Sequence, residues 1–367
     1  MNMNQVFCSP SQYVQGKGAL KTLGEYVKPL GKKALVITSK GGAKRNEKAL
    51  EIAFSDEELN YVVEVFHGES SQEEIDRIVE LLKEKECDVV VSVGGGKTTD
   101  VAKAVAYFAK LPVVICPTVA SCDAPCTKLS VIYTVDGVVD HYLFLPTNPN
   151  VVLVDTDIVA KSPVRLTVSG MGDALATYFE GRATDRSYSR NLTNTYNTRG
   201  AMALAKACYD TLINEGYEAL QAAKASIASP AFEHIVEANT LLSGVGAESS
   251  GCAGAHAIHN GFTVLPECHA YYHGEKVAFG TLCQLVHEGA PKNEINEVLD
   301  FCISVGLPVT LAEIGVVDVT EEKIKAVAVK ATDKAETIFN QPEHVTVDSV
   351  YAAILAADAL GTARLAK

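Results

Sequence analysis

Four of the chain's nine histidines fall within residues 256–276, HAIHNGFTVLPECHAYYHGEK. His256 and His259 are three apart in a stretch that reads as helix, and His269 and His273 follow a break at Pro266. Residues three apart share a helix face, and neutral imidazole is the commonest metal ligand. Two such pairs joined by a short turn can converge on one point. With an Asp or Glu added, two of them would complete a catalytic zinc site of three protein ligands and one open position. The same residues would also suit the solvated face of a helix, so the reading turns on a partner carboxylate. Asp173 follows a glycine-containing turn in SGMGDALATYFEGR, where it could equally cap the helix that begins there. Glu248 and Glu267 are further candidates, and spacing does not choose among the three. Glu180, two turns beyond Asp173, has the pattern of an exposed residue that makes surface or interface pairs.

A second stretch with chemical potential is VVVSVGGGKTTD. Gly94, Gly95 and Gly96 follow an apolar run and precede a helix that opens at Thr98–Thr99–Asp100. Glycines at such a junction let backbone N–H groups approach a phosphate, and the helix N-terminus adds partial positive charge. Lys97 can add a cation. The nucleotide-binding P-loop needs a glycine where Val91 stands, and the dinucleotide pattern needs one at Thr99. This is a phosphate-cradling turn outside both patterns. The next loop, PTVASCDAPCTKLSVIY (117–133), offers Thr118, Ser121 and Thr127 for close approach to a ligand. Asp123 is its only carboxylate, and beside Pro125 it would also suit a turn.

The elements that must position these residues differ between the two halves of the chain. KKALVITS (32–39), YVVEVFHG (61–68), the run from 87 to 93, LPVVICPTVA (111–120) and NVVLVDTDIVA (150–160) read as strands separated by helical stretches. That alternation indicates an α/β class with a parallel sheet covered on both faces. Ligands bind such sheets at the carboxyl ends of the strands, where both loops should lie. SVIYTVDGVVDHYLFLP (130–146) alternates around Asp136–Gly137 and predicts a hairpin. Beyond about residue 162 the segments are rich in Ala, Leu and Glu with helical periodicity. We expect an α/β domain over 1–161 and a mainly α-helical domain over 162–367, packed tightly around a shared cleft.

Composition narrows the function classes. A chain of 367 residues exceeds the usual size of one core. Its 47% apolar and 21% charged content suits a soluble globular protein, and no apolar run approaches a membrane span. A net charge of −13 argues against nucleic acid, and no polybasic cluster points to a membrane surface. Ten cysteines without repeated spacing fit a reducing cytoplasm better than a disulfide framework. The opening MNMNQVFCSPSQYVQGKG has no basic stretch followed by an apolar one, so a cytoplasmic location is expected.

Together, SPSQYVQGKGAL, GGGKTTDVAKAVA, DAPCTKLSVIYT, NPNVVLVDTDIVA, GDALATYFEGRA, VEANTLLSGVGAES, HAIHNG and YYHGEKVAFGTL resemble the glycerol dehydrogenase family. That family lies within the metal-dependent polyol and iron-type alcohol dehydrogenase superfamily. The resemblance runs almost end to end. It implies a Rossmann-like dinucleotide-binding domain, a helical metal- and substrate-binding domain, and an active site in the cleft between them. It further implies zinc held by Asp173, His256 and His273, which also meet the substrate, with His259 and His269 as neighbours. NAD is expected against Gly94, Gly95, Gly96, Lys97, Thr98, Thr99 and Asp100 of the glycine turn. Its other expected contacts are Thr118, Val119, Ala120, Ser121, Thr127, Leu129 and Tyr133. Asp123 is expected to contact the polyol as a catalytic residue that orients the diol or passes on its proton.

Iron-type members carry further histidines where this chain has Thr177 and Asn260, and both departures point to a three-ligand zinc site. A third departure concerns the cofactor. Relatives usually place an acid after the first parallel strand, whereas here Ser39 is followed by Lys40, so NADP use stands beside NAD. The implied reaction is oxidation of glycerol or another vicinal diol to dihydroxyacetone or the matching ketone, and its reverse. The implied assembly is a homo-oligomer, an octamer in the family. Rival readings are a dehydroquinate-synthase-like lyase and a glycerol-1-phosphate dehydrogenase. Both would need a basic phosphate pocket, and the catalytic stretches are poor in Lys and Arg.

Overall fold

The structure, a computed structural model, describes residues 4–367. Eight strands are present among them: β1 Gln12–Gly16, β2 Lys33–Thr38, β3 Asn60–Val65, β4 Val89–Gly94, β5 Val113–Pro117, β6 Leu129–Tyr133, β7 Val139–Phe144 and β8 Val151–Asp155. Six of them form one parallel sheet in the order β1-β8-β5-β4-β2-β3, and β6 and β7 form an antiparallel hairpin. The helices of this half are α1 Leu23–Val27, α2 Lys40–Asp56, α3 Gln72–Glu84, α4 Gly96–Ala109 and α5 Thr156–Ala160. The remainder is helical: α6 Val164–Ser187, α7 Arg199–Lys224, α8 Pro230–Glu237, α9 Ser243–Ser250, α10 Gly254–Phe262, α11 His273–His287, α12 Lys292–Val305, α13 Glu321–Ala331 and α14 Val347–Leu365.

The central strands β4, β5 and β8 are buried along their whole length, as their nearly unbroken apolar sequences require. One face of the sheet packs Leu20, Leu23, Leu50 and Phe54 against Val36, Val91 and Val114. The opposite face packs Leu35, Val90 and Ile115 into a core that continues through Met171, Phe179 and Phe279 of the helical half. The two halves therefore share one apolar interior.

Two details differ from the sequence reading. The strand expected over 150–160 stops at Asp155, whose Oδ1 accepts from the N–H of Asp157 at 3.1 Å and so caps α5. The same carboxylate accepts from Gly18 and Leu20, at 3.0 and 3.1 Å, which ties down the chain after β1. β1 itself lacks an apolar run to announce it. It is an edge strand, QYVQG, paired in parallel with β8.

Topology sets the ligand crevice. From β2 the chain moves outward to β3, then returns so that β4 lies on the other side of β2. Such a switch point opens a crevice at the carboxyl ends of the two strands, here between Ser39 and Gly94–Gly96. The loop after β5 is stitched to the same place, because the Thr118 N–H donates to the Gly94 carbonyl at 2.9 Å.

That loop is also bolted to the helices. A Cβ on Gly170 of α6 would lie 2.0 Å from the Ala120 carbonyl oxygen, so only glycine permits the approach. Asn239, in a single π-helical turn over Ala238–Leu242, donates to the carbonyls of Ala120 and Thr167 at 3.0 Å each. From below, the fully buried Lys103 ammonium of α4 donates to the carbonyls of Ala124 (3.0 Å), Thr127 (3.3 Å) and Leu129. It also lies 3.6 Å from Asp100. Burial pushes the Asp100 carboxyl up to about 6, despite that neighbouring ammonium. Replacing Lys103 by Met strands three carbonyls and this acid, which should cost about 3–5 kcal/mol. The check is the urea midpoint of Lys103→Met, and a change below about 1 kcal/mol would contradict the assignment.

Candidate active site

Asp173 lies in the middle of α6, not at the start of a helix as its glycine-rich context suggests. Gly170 and Gly172 are helical glycines that admit neighbouring backbone. A Cβ on Gly172 would stand 2.3 Å from the Gly274 carbonyl oxygen, and one on Gly274 would stand 1.7 Å from that of Ser169. The first turn of α11 is thereby pressed against α6, and His273, its first residue, faces Asp173. His273 Nε2 lies 3.1 Å from Asp173 Oδ1, and His256 Nε2, from the first turn of α10, lies 3.3 Å from the same oxygen. The three donor atoms lie within 4.8 Å of one another. Asp173 is 2% exposed and the His273 side chain 41%, so the cluster is closed behind and open in front. Asp173 Oδ2 accepts from the Asp123 N–H at 3.1 Å, which brings the loop after β5 to the cluster.

Electrostatics favours a cation here. Burial by itself would raise the Asp173 carboxyl, but the His273 and His256 imidazoles outweigh it and hold Asp173 well below the usual carboxylate range. Asp123 is pushed up to about 6, by burial and by the Asp173 carboxylate beside it. One oxygen and two imidazole nitrogens facing a common point make a donor set suited to a divalent metal.

The far nitrogens of both imidazoles are engaged, as metal-binding histidines require. Glu180 Oε2 lies 2.6 Å from His256 Nδ1, while Oε1 accepts from the N–H groups of Ala253 and His256 at 2.8 and 2.9 Å. Glu180 is 1% exposed, so its surface assignment is wrong. Two full turns along one helix put it on the same face as Asp173, and that spacing was the available signal. His273 Nδ1 meets His259 Nε2 at 3.1 Å, His259 Nδ1 meets Asn260 Oδ1 at 3.1 Å, and Asn260 Nδ2 donates to Glu336 at 2.9 Å. Because a carboxylate only accepts, Asn260 turns its oxygen to His259. His259 then carries its proton on Nδ1 and accepts from His273 Nδ1–H, which leaves the His273 Nε2 lone pair free. Burial and the His273 imidazole hold His259 well below its usual pKa, in the neutral form this chain requires.

The other candidates lie elsewhere. His269 is exposed, with Nε2 3.0 Å from the Thr263 carbonyl. Glu248 accepts from the Lys128 N–H at 2.8 Å, and Glu267 pairs with Lys323 at 3.0 Å. Thr177 packs towards Gly246, and Asn260 is committed to its relay. Cys252, with Glu180 and His256, forms a second cluster of potential donors. Burial pushes that thiol up to about 11.

The glycine turn ends as a bare helix start. Gly95 is the N-cap of α4 and no side chain caps it, so the N–H groups of Gly96, Lys97 and Thr98 are open to an anion. A Cβ on Gly94 would strike the Thr98 side chain at 2.6 Å, whereas those on Gly95 and Gly96 would look onto Val119 and Cys122 at 3.4 and 3.7 Å. Thr118, Val119, Ser121, Leu129 and Tyr133 are half-buried around this opening. Thr98, Thr99, Asp100, Ala120 and Thr127 are buried behind it. Lys97 does not stand free, since its ammonium is clasped by Glu69 at 2.6 Å and lies 5.0 Å from the Tyr133 ring centre.

The chain is similar to known proteins along its whole length. The pattern of the iron-containing alcohol dehydrogenases matches residues 10–156. A glycerol dehydrogenase of Citrobacter freundii is 52% identical over 366 residues, covering 100% of both chains. One from Thermotoga maritima is 51% identical over 355 residues, covering 97% of each. The chain belongs to the glycerol dehydrogenase family. A probable glycerol dehydrogenase from Sinorhizobium meliloti, 43% identical, superimposes with a TM-score of 0.92 over 98% of this chain and 100% of that one. Within this family fold, Glu180 supports the donor cluster from behind. Glu180→Gln should weaken metal affinity about 10- to 100-fold. Competition against a chromogenic chelator measures this, and unchanged affinity would refute the role.

Proposed function

We propose that the protein catalyses zinc-dependent, NAD-linked oxidation of glycerol and related vicinal diols, giving dihydroxyacetone from glycerol, and the reverse reduction. The observation that carries the reading is the convergence of Asp173, His256 and His273 beside Asp123, at the mouth of a crevice whose floor is an uncapped glycine turn. Bound there, zinc would supply Lewis acidity that lowers the pKa of a substrate hydroxyl, and NAD would accept the hydride. The donor set favours zinc over iron because Thr177 and Asn260 add no fourth side-chain ligand.

The protein's own residues hold and orient. The first-turn N–H groups of α4 bind the pyrophosphate, and Thr118, Val119, Ser121, Leu129 and Tyr133 line the space beside it. Gly94, Gly95, Thr99, Asp100, Ala120 and Thr127 shape that surface from behind. Glu180 and His259 fix the ring orientations of His256 and His273, so that both Nε2 atoms face the open side. The Asp123 carboxylate, beside the cluster, orients the diol and takes up the proton of the hydroxyl that is oxidised. Alignment of donor carbon and acceptor ring is what such a rigid frame contributes to rate. The ten free cysteines fit the reducing cytoplasm in which we place the enzyme. Homo-oligomeric assembly, octameric in the family it resembles, belongs to the same proposal.

A phosphorylated substrate is disfavoured. Cations around the site are committed elsewhere: Lys103 donates to three carbonyls of the loop, Lys276 donates to the Cys268 carbonyl at 3.4 Å, and Arg165 pairs with Glu275 at 2.5 Å. Burial lowers the pKa of Lys276 as well, which weakens any claim on a phosphate. The experiment is a nicotinamide absorbance trace with glycerol on metal-loaded, chelator-stripped and His256→Ala protein, together with metal content. Zinc-restored turnover, and loss of both metal and turnover in His256→Ala with NADH binding retained, is expected. Full activity in the stripped protein would overturn the proposal, and restoration by iron alone would overturn the choice of zinc.

A further inference from the structure

The adenosine end of the crevice departs from what an NAD-only site needs. The metal-donor cluster touches the loop after β5, through Asp123 and Asp173, on one side of the glycine turn after β4. A nicotinamide must reach that side to take a hydride. With its pyrophosphate on Gly94–Gly96, the dinucleotide must then run the other way along the carboxyl edge of the sheet. The neighbour of β4 in that direction is β2, which ends at Ser39.

An acid at the end of this strand accepts from the ribose 2′-hydroxyl and repels a 2′-phosphate. Ser39 cannot do so. Its Oγ accepts from the Gly42 N–H at 3.0 Å as the N-cap of α2, which leaves its own hydroxyl proton free to donate. The first turn of α2 holds no acidic residue, and its sequence opens Lys40-Gly41-Gly42-Ala43-Lys44-Arg45. Lys40, Lys44 and Arg45 are exposed, and none forms an ion pair among the described residues. Arg45 folds back over the helix start, so that a Cβ on Gly41 would lie 2.9 Å from its Nη1. A guanidinium held at the positive end of a helix dipole is in an unfavourable place unless an anion joins it. Three acids of neighbouring segments are paired elsewhere: Glu64 and Glu74 with Arg77 at 2.6 and 2.8 Å, and Glu69 with Lys97.

We infer that Ser39, Lys40 and Arg45 form a 2′-phosphate subsite, so that the enzyme uses NADP(H) as well as NAD(H). The inference rests on the dinucleotide site proposed above. Charge-assisted hydrogen bonds from a guanidinium suit a phosphate in particular. Ser39→Asp would keep the helix cap, since Asp caps as well as Ser, while placing a negative charge against the phosphate.

Steady-state kinetics with glycerol on the metal-loaded enzyme, using NAD⁺ and NADP⁺ with wild type, Arg45→Gln and Ser39→Asp, tests this. We expect kcat/KM with NADP⁺ to be at least about one-hundredth of that with NAD⁺, and that ratio to fall about tenfold or more in each variant. A smaller wild-type ratio, or one that neither variant lowers, overturns the inference while leaving the proposed reaction intact. If neither cofactor turns over, the proposed reaction fails, and fluorescence titration with NADPH and NADH decides the subsite separately. Affinities within about tenfold of each other, with NADPH binding weakened in Arg45→Gln, would uphold it, and any other result would overturn it.

Discussion

A single buried carboxylate organises this protein. Asp173 is almost without solvent, and an ionised carboxylate in such a place is very costly unless opposed by a cation or by strong donors. Two imidazoles and the Asp123 N–H are what opposes it here. They come from a loop of the sheet half and from two other helices. Holding them within hydrogen-bond distance of one side chain requires α6, α10, α11 and the loop after β5 to meet at one point. The glycines at 170, 172 and 274 make that meeting sterically possible. Their role is close approach of backbones, and none of the three has the positive φ that usually explains a glycine.

The sheet half contributes placement of a different kind. Parallel strands put their loops on one edge, and the reversal between β2 and β4 turns that edge into a crevice. Buried Lys103 holds the loop carrying Asp123 from beneath, and Asn239 holds it from the helical side. The glycine turn and the donor cluster are thus fixed relative to each other by buried polar contacts. Continuity of the apolar core across the two halves reinforces this. A hydride-transfer site depends on such fixed spacing between cofactor and substrate.

Much of the architecture was legible in the sequence because its signals are local. Apolar runs such as VVVSV and VVICP can only be covered strands, and Asp136–Gly137 between alternating segments marks the hairpin. β1 was not legible, since an edge strand with one half-exposed face carries no such run. In the site, residue types and spacing named the histidine stretch, and the resemblance to a family singled out Asp173, His256 and His273. Their support was the harder part. Glu180 looked like a surface acid because a mid-helix Glu normally is one, and only the fold shows what it faces. The relay through His259, Asn260 and Glu336 spans segments far apart in the chain, so no local pattern could announce it.

The central claim is that one metal ion is held by one carboxylate and two imidazoles, with Cys252 excluded. X-ray absorption at the zinc edge of the loaded protein tests it most directly. Light-atom scattering at about 2.0–2.1 Å with two imidazole shells and no sulfur is the predicted result. A sulfur shell at about 2.3 Å would place the ion in the Glu180–Cys252–His256 cluster instead and contradict the account.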